Sequence, residues 1–499
     1  AMMSAERPPL GRQAALRGGL LCLLGAAALY LLSAAPVVQG FDSAELTAGA
    51  VSLGFVHPPG YPLYLLAAQL FLALPAGDPG QQLNLMSAAL GALTVAGLYW
   101  LILDQSGDRA AAMLGAGLLA VAPTFWSQAL RAEVYTLHGL LTVGALLASR
   151  HALRTGRRAP LVLACLILGA SLANHQTTAL LWAALLAALA LLPPRQRAAG
   201  AAGTALGLGL TALIYLLYFG WRAPAGPAID YVQPYFAVDL GSPGGLIWML
   251  SGRAFSCGFG LRPGLLAQDL GRLALLLLNG SLGVGLVLAA WGWRDLARRE
   301  PTWTALLSLY GLLSVAAFLG YQAVDKEVMF APLLMLVALW AAEGLARLRR
   351  RAALRASPQA RPVPWLTAGL AAGLVAATAL NWGAVSLRES TRVYSYGRAL
   401  LDQLPPGATV VSTWVSTAMI DYLQVVEGRR PDVRSLSLEL YLLGRGLGCS
   451  DGAAAQEATT ALLARLLTQG PLCVTTPTVP APAGRAWAQD GLCYTLRAR

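Results

Sequence analysis

The chain has 499 residues, 57% of them hydrophobic and 12% charged, with a formal net charge of +12. Apolar runs long enough to cross a bilayer recur along most of it, which excludes a soluble globular protein. The runs do not alternate, which excludes a β-barrel and leaves a polytopic α-helical membrane protein.

The positive charge is almost all arginine, because Lys326 is the only lysine. The arginines fall in short loops between apolar runs, so they read as membrane sidedness and not as a nucleic-acid surface. The first run, Leu16–Ala35, lacks a convincing cleavage site and reads as a retained helix. With it, eleven spans are expected, at about 16–35, 84–103, 110–127, 134–150, 160–174, 177–192, 201–219, 271–291, 302–320, 329–345 and 364–382. Several are short for a hydrocarbon core about 30 Å thick, so broken or partly re-entrant helices are expected.

Parity then sorts the loops. Arg7, Arg12 and Arg17 precede the first span; Arg150, Arg154, Arg157 and Arg158 follow the fourth; Arg195 and Arg197 follow the sixth. Arg294, Arg298 and Arg299 follow the eighth, and Arg347, Arg349, Arg350, Arg351, Arg355 and Arg361 follow the tenth. All fall on one side, which the positive-inside rule makes the cytoplasm. Loops 36–83, 220–270 and 321–328 fall on the other side, as does everything after residue 382. The apolar segment Tyr61–Leu74 is short and bounded by prolines, and a span there would invert every later cluster. It reads as a helix lying against the outer face.

The first external loop carries "FDSAELTAGAVSLGFVHPPGYPLY" at 41–64. Asp42 followed three residues later by Glu45 is a capping-box-like helix start with Gly54 as its stop. The same spacing puts both carboxylates on one helix face, where they could act as a general base or orient an acceptor hydroxyl. His57 opens a proline-stiffened turn, either a plain redirection of the chain or a rigid wall beside a site. At the outer end of the fourth span, Arg131, Tyr135 and His138 are spaced to share a helix face, with Glu133 offset; an Arg–Glu surface pair is the plainer reading. "NHQTT", with Asn174 and His175, and "VDKEV", with Asp325, Lys326 and Glu327, fall on the same side.

After 382 the texture changes to alternating strands and helices, "ATVVST", "WVSTAMIDYLQVVE", "VRSLSL", "GAAAQEATTALLARLLTQG" and "PLCVTT". That order predicts a small α/β domain over 383–499 with a mostly parallel sheet, outside the membrane. Cys449, Cys473 and Cys493 fall within it, so at most one internal pair forms there, whereas Cys22, Cys165 and Cys257 read as packing residues. No phosphate-binding glycine loop sits between a strand and a helix, and no His/Cys cluster has zinc spacing. A pump needs ionisable groups near the midplane and often inverted repeats, and neither is evident. A polar cluster confined to one lipid boundary suits an enzyme taking a lipid-borne substrate from one leaflet. A lipid or solute transporter with a periplasmic domain and a non-enzymatic assembly subunit are the rival readings.

"FDSAEL", "HPPGYPLY" and "RAEVYTLH" in that order after an N-terminal span, with "DYLQVVEGRRPDVRSLSL" in the tail, resemble the protein O-mannosyltransferase-like family of GT-C glycosyltransferases. The likeness is good over about 16–180, moderate over 400–440, and one of hydropathy alone over 200–380. It implies a GT-C-like fold, with residues 1–382 as the catalytic membrane domain. It also implies inverting transfer of mannose or another hexose from a polyprenyl-phosphate lipid to a hydroxyl of a protein Ser/Thr or a glycan. The lipid-linked sugar is then the substrate, no cofactor is called for, and no metal is assigned. By the resemblance Asp42 matches the first-loop acid taken as base, Glu45 its companion, Glu133 an acid of the second external loop, and His57 the HPP turn. Arg131 is suited to the lipid phosphate, and Tyr61, Tyr135, His175 and Lys326 complete the expected substrate site. A bacterial inner membrane is the expected location, with the N-terminus cytoplasmic and the tail periplasmic.

Overall fold

The computed structural model describes residues 11–499 except 76, 324, 356–363, 450–451, 478–480, 482–483 and 499. Arg7 and Arg361 of the arginine clusters lie outside the described residues. Among the described residues six helices are long and apolar enough to cross a membrane: Arg12–Ser33, Pro79–Ser106, Pro194–Ala225, Pro301–Gly320, Ala331–Leu354 and Thr367–Val385. A seventh candidate is the pair Pro263–Ser281 and Val284–Arg299, bent by 89°. The break falls at Leu282 and Gly283, which have φ of 56° and 66°, values a continuing helix cannot hold. The expected span 271–291 is therefore a broken one.

The count of eleven is corrected in the same way. Segments 110–127, 160–174 and 177–192 form the shorter helices Arg109–Val121, Arg158–Leu172 and Thr178–Leu189. The first stops where Ala122 turns extended ahead of Pro123, because the residue before proline is pushed out of the helical region. The fourth expected span lies in the helix Tyr135–Thr155, whose His138, Arg150, His151 and Arg154 lower its apolar character. The segment read as lying against the outer face forms Pro62–Leu72, 11 residues. At 1.5 Å per residue it reaches only about 16 Å, half a hydrocarbon core. It buries Tyr64, Leu65 and Ala68 and leaves Leu70 74% exposed.

Arginines that parity placed on one side meet at one end of the bundle. Arg150, only 2% exposed, pairs with Asp104 at 2.7 Å and Glu300 at 2.6 Å. The buried Glu343 receives Arg299 and Arg350 at 2.5 and 2.8 Å, and Arg349 pairs with Asp108 at 2.7 Å. Loops that follow the fourth, eighth and tenth expected spans are thus held together by charge.

The tail forms a five-stranded sheet in the order β2-β1-β3-β5-β4. β1 (Thr409–Ser412) lies parallel between β2 (Arg434–Ser437) and β3 (Leu472–Val474). β5 (Cys493–Ala498) then runs antiparallel to β3 and to β4 (Arg485–Asp490). The sheet is mixed and not mostly parallel, because β4 and β5 form a hairpin whose two-residue turn uses Gly491 at φ 59°. The cysteine reading is also corrected. Cys473 pairs with Cys493 inside the tail, and Cys257 is no packing residue but a disulfide partner of Cys449, 192 residues away. That bond staples the loop 220–270 to the tail.

The tail does not pack by itself. One hydrophobic cluster runs from Val38, Ala44 and Ala48 of the first loop through Ile229 and Tyr231 to Leu400, Met419 and Leu423. Glycine permits the approach: a Cβ at Gly40 would lie 2.8 Å from Val415, and one at Gly397 2.5 Å from Met419. Each large apolar side chain buried in this seam contributes about 1.5–3 kcal/mol.

Candidate active site

The helix Asp42–Ser52 begins at Asp42, with Phe41 as N-cap and no side-chain cap bond. The capping-box reading of Asp42 and Glu45 is therefore corrected: neither carboxylate is used on the helix's own N–H groups. Phe41 sits at φ 57°, ψ −140°, a conformation that costs a non-glycine residue and that surrounding structure must enforce. The helix ends at Leu53, φ 49°, where the Gly54 N–H returns to the Gly49 carbonyl at 2.8 Å. Arg222 closes the same end, donating to the Leu53 and Ser52 carbonyls at 3.1 Å each. The chain then pairs with the loop 220–270: Phe55 N–H donates to Ile229 O at 2.7 Å and Tyr231 N–H to Phe55 O at 2.8 Å. A Cβ at Gly54 would lie 2.6 Å from the Ile229 carbonyl oxygen, so this pairing needs glycine. The Pro58–Pro59 bond is cis, and Tyr215 OH donates to the Pro59 carbonyl at 2.8 Å.

This path lays His57 over Glu45. The Glu45 carboxylate is fully buried and accepts both the His57 backbone N–H and its Nδ1–H, the latter at 2.6 Å. His57 Nε2 lies 2.9 Å from Tyr61 OH and 3.9 Å from Asp42 Oδ2. Burial pulls the imidazolium down, yet the charges of Glu45 and Asp42 carry it up to about 9. Burial pushes the Glu45 carboxyl up, against the pull of His57. His57 thus turns Nδ1 to Glu45 and Nε2 toward Tyr61 and Asp42, and the two carboxylates favour its charged form. The ligand atoms of Asp42, Glu45 and His57 lie within 4.8 Å of one another, so these three are the residues that would hold a metal ion, with the imidazole then neutral.

Asp42 is the exposed member, with 25% of its side chain open. Its Oδ1 accepts the indole N–H of Trp414, from the tail, at 3.1 Å. Sequence reasoning missed Trp414, since nothing local links residues 372 positions apart.

The second external cluster lies beside the first. Arg131 donates through Nε to Glu133 at 3.1 Å and lies 5.6 Å from the centroid of the Phe41 ring. Arg131 does not share a helix face with Tyr135 and His138, because the helix starts only at Tyr135, after a bend over 130–133. Burial pushes the Glu133 carboxyl up to about 8, with Arg131 opposing. The loop is pinned by Asn84, which accepts from the Ala132 N–H at 2.9 Å and donates to the Ala35 and Val37 carbonyls at 3.0 and 3.1 Å. His175 stacks near Tyr61, with ring centroids 6.3 Å apart, and packs on Tyr135 at 5.3 Å. Its Nδ1 lies 2.7 Å from Thr177 Oγ1. Burial, then the nearby His138 and His57, hold it well below the usual histidine range.

Asp325 feels the charges of Asp42, Arg131 and His57, and burial followed by Asp42 pushes its carboxyl up. Lys326 departs from the expected site. It is fully buried, with its ammonium on Asp269 at 2.7 Å and on the Phe318 and Tyr321 carbonyls at 3.0 Å each. Those contacts use all three of its N–H donors. The structure therefore brings together Asp42, Glu45, His57 and Tyr61, joins them through Tyr61 to Tyr135 and His175, and places Arg131 and Glu133 alongside. Lys326 anchors the turn behind Asp325.

Residues 42–198 match the family model described as the protein O-mannosyl-transferase TMEM260 N-terminal domain. Over 138 residues the chain is 36% identical to protein O-mannosyl-transferase TMEM260 of Mus musculus, covering 28% of this chain and 20% of that protein. Over 124 residues it is 23% identical to the Dictyostelium discoideum protein of the same description, covering 24% and 15%. The match thus spans about a fifth or less of each relative. Among solved structures it is similar to ArnT from Cupriavidus metallidurans bound to undecaprenyl phosphate, with TM-score 0.51, 11% identity, and 96% and 97% of the two chains covered. It is similar also to ArnT in the apo state, with TM-score 0.53, 14% identity, and 82% and 85% covered. At such identity the likeness is one of fold. The chain is a polytopic helical membrane protein with an ArnT-like fold, and its residues 42–198 are similar to the protein O-mannosyl-transferase TMEM260 N-terminal domain.

Proposed function

We propose that the chain is a membrane glycosyltransferase that moves mannose or another hexose from a polyprenyl-phosphate lipid to a hydroxyl acceptor, a protein Ser or Thr, with inversion. The observation that carries this reading is Asp42: a fixed carboxylate, a quarter open, 3.9 Å from the His57 imidazole, with Arg131 over the ring of the neighbouring Phe41. It lies within the stretch that matches a transferase family. The ArnT neighbour holds undecaprenyl phosphate, which supports a lipid-phosphate donor here. The reaction runs in one displacement. Asp42 takes the acceptor proton as the acceptor oxygen bonds to the anomeric carbon, an effect worth about 10²–10⁴-fold. The bond from that carbon to the phosphate oxygen breaks, its electron pair leaves with the polyprenyl phosphate, and the sugar is inverted because attack comes from the opposite face. Arg131 offers a planar fork to the departing phosphate, and the imidazolium of His57 adds positive charge beside it. The activated sugar supplies the driving force, so no nucleotide is consumed. The outer leaflet of a bacterial inner membrane is the proposed location, with the tail periplasmic. The test presents purified full-length protein in nanodiscs with a panel of labelled polyprenyl-phosphate hexoses and follows label leaving the lipid. Asp42→Asn is expected to stay folded and lose at least about 100-fold in turnover. Retained turnover in that variant would remove Asp42 as base.

A further inference from the structure

We propose that Trp414, on the extracytoplasmic domain, is a positioning residue for the Asp42 base; this rests on the catalytic reading of Asp42 above. Three observations carry it. First, the helix that Asp42 opens makes no use of its carboxylate, and the hydrogen bond on Oδ1 comes across the seam from the Trp414 indole at 3.1 Å. With Oδ1 held, Oδ2 is left on the side of His57, 3.9 Å from Nε2. Second, the indole is itself fixed. The Trp414 backbone N–H donates to the Glu439 carboxylate. The ring meets Tyr231 edge-on, centroids 4.9 Å apart at 71°, and meets His57 at 5.7 Å and 84°. Tyr231 OH donates in turn to Asp421, on the helix that Trp414 begins. Third, the backbones carrying acid and indole are pressed together where Gly40 faces Val415. A phenylalanine would fill the same space against Tyr231 and His57 but would lack the N–H. The tail thereby takes part in the chemistry by setting the rotamer of the base.

A carboxylate free to rotate presents its lone pair correctly only part of the time, and small misplacements of a reacting group are costly. A hydrogen bond to a charged group removed from a half-buried site corresponds to about 10- to 100-fold. The experiment uses full-length protein in nanodiscs and whichever polyprenyl-phosphate hexose it turns over. Trp414→Phe is compared with β-(3-benzothienyl)alanine at the same position, which keeps the bicyclic shape and replaces the N–H by sulfur. Both are expected to lose about 10- to 100-fold in kcat, with the donor KM within about twofold of wild type. Thermal midpoint and disulfide content should remain unchanged, and if Trp414→Phe fails to fold, the isosteric variant decides. Wild-type kcat in a folded variant overturns the proposal, and so does a raised KM with unchanged kcat, which would make Trp414 a substrate contact. Asp42→Asn is measured alongside. Activity in it would overturn the base reading and this inference together, whereas an inactive Asp42→Asn with unaffected Trp414 variants would overturn this inference alone.

Discussion

Replacing Glu45 by Gln tests whether the Glu45–His57 pair is an ion pair that organises the first loop. The carboxylate is 0% exposed and accepts two N–H groups from His57. Removing one partner of a buried charge pair costs about 3–5 kcal/mol, because the survivor is left without compensation. The Gln amide oxygen still accepts one N–H, and His57 can shed its proton, so the loss should fall near 3 kcal/mol, the low end of that range. His57→Gln should cost a similar amount. The double variant should cost little more than either alone, giving a coupling of about 2 kcal/mol, within the span seen for residues in contact. The sign of the pH dependence follows from His57, whose folded value is raised to about 9 from 6.5. The stabilisation is fully present below about pH 6.5 and is lost as pH rises through about 9. Reversible SDS unfolding of wild type, both single variants and the double variant, at pH 6.5 and again near pH 10, measures the coupling directly. A coupling within about 0.5 kcal/mol of zero at the lower pH, or one that does not shrink at the higher, would refute the ion pair.

Lys326→Met should destabilise the protein by about 3–5 kcal/mol by stranding Asp269, with much of that recovered in Lys326→Met/Asp269→Leu; a raised donor KM at unchanged stability would instead restore Lys326 to phosphate binding. Alkylation of the denatured, unreduced protein should modify only Cys22 and Cys165 of the six cysteines, and a third modified residue would break one of the two assigned bonds. With those two changed to serine and the disulfides left intact, single cysteines at Gln81 and Gln469 should both react with an impermeant reagent from outside, and one at Arg195 should not; reaction at Gln81 from the other face would make Pro62–Leu72 a span.

The first-loop cluster was legible because its parts are close in sequence: Glu45 and His57 are 12 residues apart, and glycine and proline mark the turns between them. The tail's first three strands were legible for the same reason, as short segments alternating with amphipathic helices, the first of them the β-branched Thr409–Ser412. What stayed hidden depends on distant partners. The Cys257–Cys449 bond and the Trp414–Asp42 contact join loops that no periodicity relates. Arg131 was misplaced because helical spacing was extended through 130–133, where the chain bends. The burial of Lys326 was hidden because its partner Asp269 lies in a distant helix. Span count failed where hydropathy alone could not see proline and left-handed breaks at 122 and 282.

The shared hydrophobic seam also governs how the chain is made. Val38, Ala44 and Ala48 are made early in synthesis, but Leu400, Met419 and Leu423, which cover them, are translated about 350 residues later. For all that interval the unfinished protein lacks the tail's share of this cluster and leaves an apolar patch uncovered, which docking of the tail withdraws. A chain stopped short of residue 400 keeps the patch on view, so incompleteness is advertised by the same surface that completion hides.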